Sequence, residues 1–415
     1  MNFDLVVIGG GAGGCFAAIR LAELHPGAKI CILEAARKPL SKVEISGGGR
    51  CNVTHACFEP EDLVAYYPRG SRELLGPFHR FQPSDMIQWL KEKGVKVKRE
   101  ADGRMFPESN TSATIISCFM KAMDTYGIEL RTSTRATKWE FDLAKERWKI
   151  GIMDGSVLHS SLLLLAAGSD NRSWEMLKQM GHTIIPPVPS LFTFNIRDKN
   201  LTELPGISKS HVIVSIPQYK LETTGPLLIT HWGLSGPAIL KLSAWGARVL
   251  FDCNYVFDVV VNWMGNDDIP EELARLKEII QANGKKQIHN VAVENIPSRL
   301  WKYFCTRAGL GDGITCAEMG NKLIDKLHTT LCRDTYRVTG KSTFKEEFVT
   351  AGGVDLKNID LRRFESKLQP GLFLVGEILN IDALTGGFNF QAAWTGAEIA
   401  ARAMAERLGA WKKLL

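Results

Sequence analysis

The sequence predicts an α/β fold in which a Rossmann-like unit, built from both ends of the chain, is interrupted by an insert of antiparallel strands and helices. Three observations predict it. A short apolar run, Phe3 to Ile8, leads into Gly9-Gly10-Gly11-Ala12-Gly13-Gly14 and then into helix-forming sequence. Pro186, Pro187 and Pro189 break the chain, and beyond them apolar residues mostly alternate. Near the other end a strand-like run, Leu372 to Val375, meets Gly376-Glu377, then Gly386-Gly387 and a helical stretch from about Phe390 to Leu408.

The first element is a buried parallel strand, because its Val and Ile residues run together without alternating. The turn behind it satisfies G-x-G-x-x-G at Gly9, Gly11 and Gly14. Gly9 permits the tight turn, Gly11 lets backbone approach a diphosphate, and Gly14 lets helix and strand pack closely. The helix carrying Phe16, Ile19 and Leu24 offers free N–H groups and a positive dipole end to the phosphates, until His25-Pro26-Gly27 stops it. Lys29 to Leu33 forms a second strand tipped by Glu34, which can accept hydrogen bonds from ribose hydroxyls. That carboxylate also disfavours a 2′-phosphate, so a dinucleotide without one is expected.

Ser46-Gly47-Gly48-Gly49-Arg50-Cys51-Asn52 follows as a second glycine cluster, where an NAD-only dehydrogenase would continue into a crossover helix. A flexible loop with an arginine suits a longer ligand. Leu162 to Leu165 is a buried strand that ends in Ala166-Ala167-Gly168, small residues that let an extended ligand pass. The strand, Gly-acid pair and helix at the C-terminal end would aim a helix dipole at a flavin ring edge, an element NAD enzymes do not need.

Between the proline break and residue 335, alternating runs around Phe194, Val214, Leu227 to His231 and Val259 predict an antiparallel barrel or sheet over 191–265. Glu271 to His289 and Pro297 to Ala308 predict helices, so 266–334 reads as a small helical lobe. The first unit is then 1–190 plus 335–415, with Tyr336 onward returning to it.

Composition excludes several classes. Apolar residues make up 45% and charged residues 23%, which is ordinary globular usage and excludes disorder, collagen and coiled coil. No apolar run reaches the roughly 18 residues of a membrane span, and no basic region precedes the first apolar stretch, so neither membrane nor signal peptide is expected. The balance of 51 basic against 45 acidic residues gives a scattered +6, whereas a nucleic-acid binder would concentrate its charge, so none is expected as partner. Nine cysteines without a C-x-x-C pair suit a reducing cytoplasm and argue against a disulfide framework or a metal site.

With these residues in view, the sequence resembles the aminoacetone-oxidase / 3-dehydro-bile-acid-reductase-like family of bacterial NAD(P)/FAD-dependent oxidoreductases. The stretches that carry the resemblance are VVIGGGAGG (Val6 to Gly14), SGGGRCNVT (Ser46 to Thr54), GRMFPES (Gly103 to Ser109), THWGLSGPAIL (Thr230 to Leu240), VTAGGV (Val349 to Val354) and GEILNIDALTGGFNFQAAW (Gly376 to Trp394). The resemblance implies a glutathione-reductase-like FAD domain with an inserted β-barrel plus helices, and FAD held non-covalently in extended form. Gly9, Gly11, Ala12, Gly13 and Gly14 would meet the diphosphate, and Glu34 and Ala35 the adenosine. Ser46, Gly48, Gly49, Arg50, Cys51 and Asn52 would line the flavin loop. Ala136, after an Arg131–Arg135 strand, would give backbone contact to adenine, with Ala167 and Gly168 at the strand exit. Gly376, Glu377, Gly387, Asn389 and Phe390 would surround the ribityl chain and the pyrimidine edge. The chain departs from the family pattern at His55 (usually Asn), Asn380 (commonly Asp), Ala383-Leu384 (a Gly-aromatic pair) and Phe388 (Tyr).

The expected activity is hydride transfer through flavin N5 between a small organic substrate and NAD(P)H or oxygen. Without a second Rossmann unit, nicotinamide would visit transiently, and reductase and amine or alcohol oxidase both stay open. An RNA-acting or scaffold flavoprotein is the alternative from another class. His231 in THWGLSGP is a weak candidate for a proton donor, set against a simple tight turn. Gly309 to Gly313 follows a helix instead of a strand and reads as a turn. The tail from Trp411 to Leu415 reads as a solvated terminus. Cys51 and Cys57 stand where disulfide reductases keep a redox pair, but with five intervening residues, so Cys51 is expected to be a small packing residue.

Overall fold

A computed structural model describes residues 2–293, 295–342 and 349–412. The last three residues of the tail fall outside that range. The chain divides into two compact units, Met1–Pro187 with Val349–Leu415, and Val188–Phe348.

In chain order the first unit contributes β1 (Asn2–Ile8), β2 (Ile30–Leu33), β3 (Thr54–His55), β4 (Val97–Arg99), β5 (Arg104–Pro107), β6 (Glu129–Arg131), β7 (Ala136–Asp142), β8 (Arg147–Ile152), β9 (Val157–Leu165) and β10 (Ile184–Pro189). The insert supplies β11 (Thr193–Ile196), β12 (Ser208–Ile216), β13 (Leu221–Thr230), β14 (Gly233–Ser235), β15 (Phe257–Asn262) and β16 (Asp334–Ser342). The chain then returns with β17 (Thr350–Val354), β18 (Ile359–Asp360), β19 (Glu365–Ser366) and β20 (Leu372–Leu374).

The main sheet runs β18-β19-β20-β9-β1-β2-β6, with β20, β9, β1, β2 and β6 parallel. Its centre is unbroken hydrocarbon: Leu5 to Val7 of β1 and Leu162 to Leu165 of β9 are fully buried. Strands covered on both faces need apolar side chains at every position, which is why these runs were legible. β20 comes from the C-terminal segment and pairs with β9 in register Leu372↔Leu163 to Leu374↔Leu165. That pairing makes the two ends of the chain one unit. The C-terminal helix, Phe388–Lys412, packs on the Ala12–Leu24 helix, and Gly13 leaves little room there, since a Cβ would lie 3.2 Å from Val375 Cγ2 and 3.7 Å from Ala393 Cβ.

The second unit is a closed antiparallel barrel, β11-β14-β13-β12-β15-β16, with a helical lobe of Ile269–Ala282, Ser298–Arg307 and Asn321–Cys332. The sequence places its end at 334, and the structure corrects this. β16 pairs with both β11 and β15 and closes the barrel, so the return to the first unit comes after it. Buried Asp334, at the start of β16, accepts from Trp263 Nε1 at 3.1 Å and Arg307 Nε at 2.6 Å, which ties the strand to the lobe. The third helix of the lobe was not anticipated. The expected Arg131–Arg135 strand is not formed either: β6 covers Glu129–Arg131, ending where that strand was to begin, and a turn with Ser133 at φ 50° leads to Ala136.

Candidate functional site

The site is assembled at the C-terminal ends of β1, β2 and β9, where backbone groups leave the sheet. Gly9 has φ 108°, and a Cβ there would lie 2.4 Å from Ala166 O. Gly14 is equally constrained: its Cβ would fall 2.1 Å from Gly9 O. Gly11 is different, since a Cβ there meets no atom within 4 Å. Two glycines of the motif therefore serve packing and one faces open space. Gly11 caps the 13-residue Ala12–Leu24 helix without any side-chain cap bond, so the first N–H groups point outward.

Glu34 stands at the tip of β2. Its Oε2 accepts from Gly10 N at 2.8 Å and its Oε1 from Ala36 N at 2.7 Å. Each oxygen retains a lone pair for a hydroxyl donor. Ala36 O and Glu34 O in turn accept from Ser133 N and Thr134 N, which places the turn before Ala136 beside this edge.

The second glycine cluster interrupts the Ser41–Gly49 element: Ser46 turns extended and Gly47 and Gly48 are left-handed, at φ 59° and 68°, so the backbone there is not helical. A Cβ at Gly47 would lie 2.7 Å from the Phe106 ring, whereas Gly48 and Gly49 face open space. Arg50 is drawn away: its guanidinium sits 3.9 Å from the centre of the Phe106 ring and 2.6 Å from Glu100. Cys51 is buried at φ 61°, and burial pushes its thiol up to about 12. Cys57 is half-buried and also raised by burial, and both are free thiols. Between them lies the strand β3, so no helix start presents two thiolates to a ligand.

The C-terminal segment closes the site. Gly376 and Glu377 follow β20, and Glu377 Oε1 accepts from Thr350 N at 3.0 Å while Oε2 pairs with Lys42. A Cβ at Gly168, beyond Ala167 at the exit of β9, would lie 3.8 Å from Glu377 Oε2. Lys42 was missed in the sequence, where nothing marks one lysine among many; only the fold brings it to Glu377. Gly387, at φ 93°, presses on β3, since a Cβ would lie 2.6 Å from Thr54 C. Asn389 is occupied inside the protein, accepting from Ala383 N at 2.9 Å and donating to Ala383 O at 3.1 Å. Phe390 stacks on Trp394 with ring centres 5.7 Å apart.

Next to this turn three rings meet. Phe388 stacks on His55 at 4.5 Å and on Tyr66 at 4.1 Å. His55 Nε2 bonds Asp102 O at 3.0 Å, and burial holds the imidazole below its usual range. In the second unit, His231 is exposed at the turn between β13 and β14. The neighbouring bonds of that motif stay within the barrel: Trp232 Nε1 donates to Thr193 Oγ1 at 3.1 Å, and Trp232 O accepts from Ile196 N. The stretch 309–313 follows the Ser298–Arg307 helix as a turn.

These residues fit a dinucleotide. Gly11, Gly48 and Gly49 open onto free space. Asn52 Oδ1 and Thr350 Oγ1 are buried without a hydrogen-bond partner among the described residues, a costly state that a polar ligand relieves. Among the described residues no cluster of three or more His, Cys, Asp or Glu forms a metal site, and no helix is long and apolar enough to cross a membrane.

A Rossmann unit closed by the C-terminal segment around such a mouth defines a flavin-dependent oxidoreductase. The chain belongs to the HI0933-like family, whose Rossmann-domain model matches residues 3–403. It is 27% identical to the ribosomal RNA dihydrouridine synthase of Haemophilus influenzae, covering 94% of this chain and 96% of that protein. It is 24% identical to the 3-dehydro-bile acid delta(4,6)-reductase of Clostridium scindens, covering 97% of this chain and 98% of that one. Among solved structures it resembles the 3-ketosteroid-delta4-(5alpha)-dehydrogenase of Rhodococcus jostii, at 12% identity, 97% coverage of both chains and a TM-score of 0.53, a likeness of fold.

Proposed function

We propose that this protein is a reductase that saturates a carbon–carbon double bond conjugated to a carbonyl, drawing electrons from NAD(P)H. One observation carries this reading. Two full-length relatives with unlike substrates bear names that describe the same chemistry, one making dihydrouridine and one reducing a conjugated bile acid. In each the alkene carbon is made electrophilic by a conjugated carbonyl, so a hydride can add to it. An enzyme frame common to both is a frame for that step.

The chain's residues divide the work. The Gly9–Gly14 turn and the helix behind it would bind the diphosphate of FAD, Glu34 the adenosine ribose, and the 46–52 turn with Asn52, Thr350 and Glu377 the flavin half. FAD bound there supplies two-electron transfer between nicotinamide and an electron-poor carbon. The first N–H groups of the C-terminal helix, a 25-residue element entered through Gly386 and Gly387, present positive dipole to a ligand at that end.

The substrate supported first is a uracil ring within RNA, because the dihydrouridine synthase likeness runs the length of both chains. This replaces the expectation of a small organic substrate without nucleic acid. The bile-acid reductase likeness supports a free enone as the second reading. The test is NAD(P)H oxidation under anaerobic conditions with bulk RNA and with a panel of enones, and mass spectrometry of the RNA for dihydrouridine. Formation of dihydrouridine or of a saturated ketone supports the reading. Turnover of amines with oxygen, and none of the alkenes, overturns it.

A further inference from the structure

We propose that Lys42 is the counter-charge for the diphosphate of the bound dinucleotide, and that Glu377 is the positioning residue that holds it there. The inference rests on the FAD reading above. A diphosphate brings two negative charges to a mouth that already carries the carboxylates of Glu34 and Glu377. The helix dipole offers only about half a charge in return. The cation that the sequence singles out, Arg50, is engaged with Phe106 and Glu100.

Lys42 is placed to supply what is missing. Its helix, Ser41–Gly49, starts against the glycine turn, since Leu40 N donates to Gly10 O at 2.8 Å. Its ammonium pairs with Glu377 Oε2, while Glu377 Oε1 is fixed by Thr350 N. The same Oε2 lies beside the Gly168 exit of β9, next to the Ala166 backbone on which Gly9 packs. The lysine is thus tethered between the glycine turn and the flavin-side acid. Its side chain is 59% exposed, so it can turn toward a phosphate without opening packed structure.

The test is the affinity of the full-length protein, freed of flavin, for FAD and for riboflavin, which lacks the diphosphate, over a range of ionic strength. Lys42→Gln should weaken FAD at low salt by about tenfold, the worth of one charge-assisted contact, and flatten its salt dependence. Riboflavin binding should be unchanged. Lys42→Arg should restore FAD binding, and the ratio of FAD to riboflavin affinity, lowered by Glu377→Gln alone, should be no lower in the double variant Lys42→Gln/Glu377→Gln than in Lys42→Gln. Wild-type FAD affinity in Lys42→Gln, or an equal loss for riboflavin, overturns the proposal. If Lys42→Gln does not fold, the wild-type protein decides: FAD affinity must fall with salt while riboflavin affinity does not, and a flat FAD profile overturns the proposal. A wild-type protein that binds no FAD refutes the cofactor reading instead.

Discussion

Two substitutions in the first glycine turn should fail in opposite ways. Gly14→Ala places a Cβ 2.1 Å from Gly9 O, 3.1 Å from Val7 Cγ1 and 3.2 Å from Ala166 Cβ. The nearest atom is backbone, so helix and strand must part by about 1.3 Å to restore ordinary contact, and overpacking of that kind costs about 3 kcal/mol. For a unit of this size, Tm should fall by about 6–12 °C. At Gly11 an added Cβ meets no atom within 4 Å, and the backbone is extended at φ −84°, where a β-branched residue is comfortable. Losing a favourable helix cap costs about 1 kcal/mol, a fall of only some 2–4 °C. Yet the added methyls occupy the space the ligand needs. FAD at a hundredfold excess over its Kd should stabilise the wild type by about 2.7 kcal/mol and Gly11→Val not at all. Thermal melts with and without FAD read both effects. Wild-type melting of Gly14→Ala, or a normal FAD shift in Gly11→Val, would refute the division of roles.

Three further outcomes follow from single contacts. Arg69→Met should destabilise by about 3–5 kcal/mol in denaturant titration, because it breaks the ion pair in which two Arg69 nitrogens hold the fully buried carboxylate of Asp382. Buried His182 bonds Leu177 O and Ser366 Oγ, and burial lowers its proton affinity below that of an ordinary imidazole, about 6.5, so the unfolded chain binds more protons. Its contribution to stability is therefore present above pH 6.5 and lost as pH falls from there through the lowered folded-state value, and the Tm of His182→Gln should depend less on pH between 7 and 5. Cys57→Ser should leave flavin reduction and turnover unchanged, and a thiolate–flavin charge-transfer band lost in that variant would count against the packing role of Cys51.

What could be read in the sequence was what local rules dictate. The β1–turn–helix unit announces itself because a buried parallel strand and close glycine packing each restrict residue type on their own. That the C-terminal segment joins the first unit was legible through the strand, Gly-acid and helix order, but its pairing with β9 was not. Nor was the end of the insert. β16 has the alternation expected of a barrel strand, with Asp334, Tyr336 and Val338 buried and the residues between them exposed, but its partners lie some 75 to 150 residues earlier. No local rule says which sheet such a strand joins. Arg50 shows the limit for side chains, since the motif marks the residue and not the Phe106 ring that takes its guanidinium.

The departures from the family pattern carry a related lesson. Written along the chain, His55, Ala383, Leu384 and Phe388 are separate changes. In the fold, His55 stacks on Phe388, Phe388 stacks on Tyr66, and Tyr66 O accepts from Leu384 N at 2.9 Å. Ala383 is bonded twice to Asn389, one residue beyond Phe388. Gly386 lies against the same ring, where a Cβ would be 2.8 Å from Phe388 Cε2 and 3.4 Å from His55. Residues in direct contact are not energetically independent, so a change at one alters what its neighbours can hold. These four positions, though not Asn380, therefore act as one surface beside the turn that enters the C-terminal helix. A relative's substrate cannot be transferred across that surface by counting the matching glycines, which in the proposed reading would bind the part of the cofactor that every substrate shares.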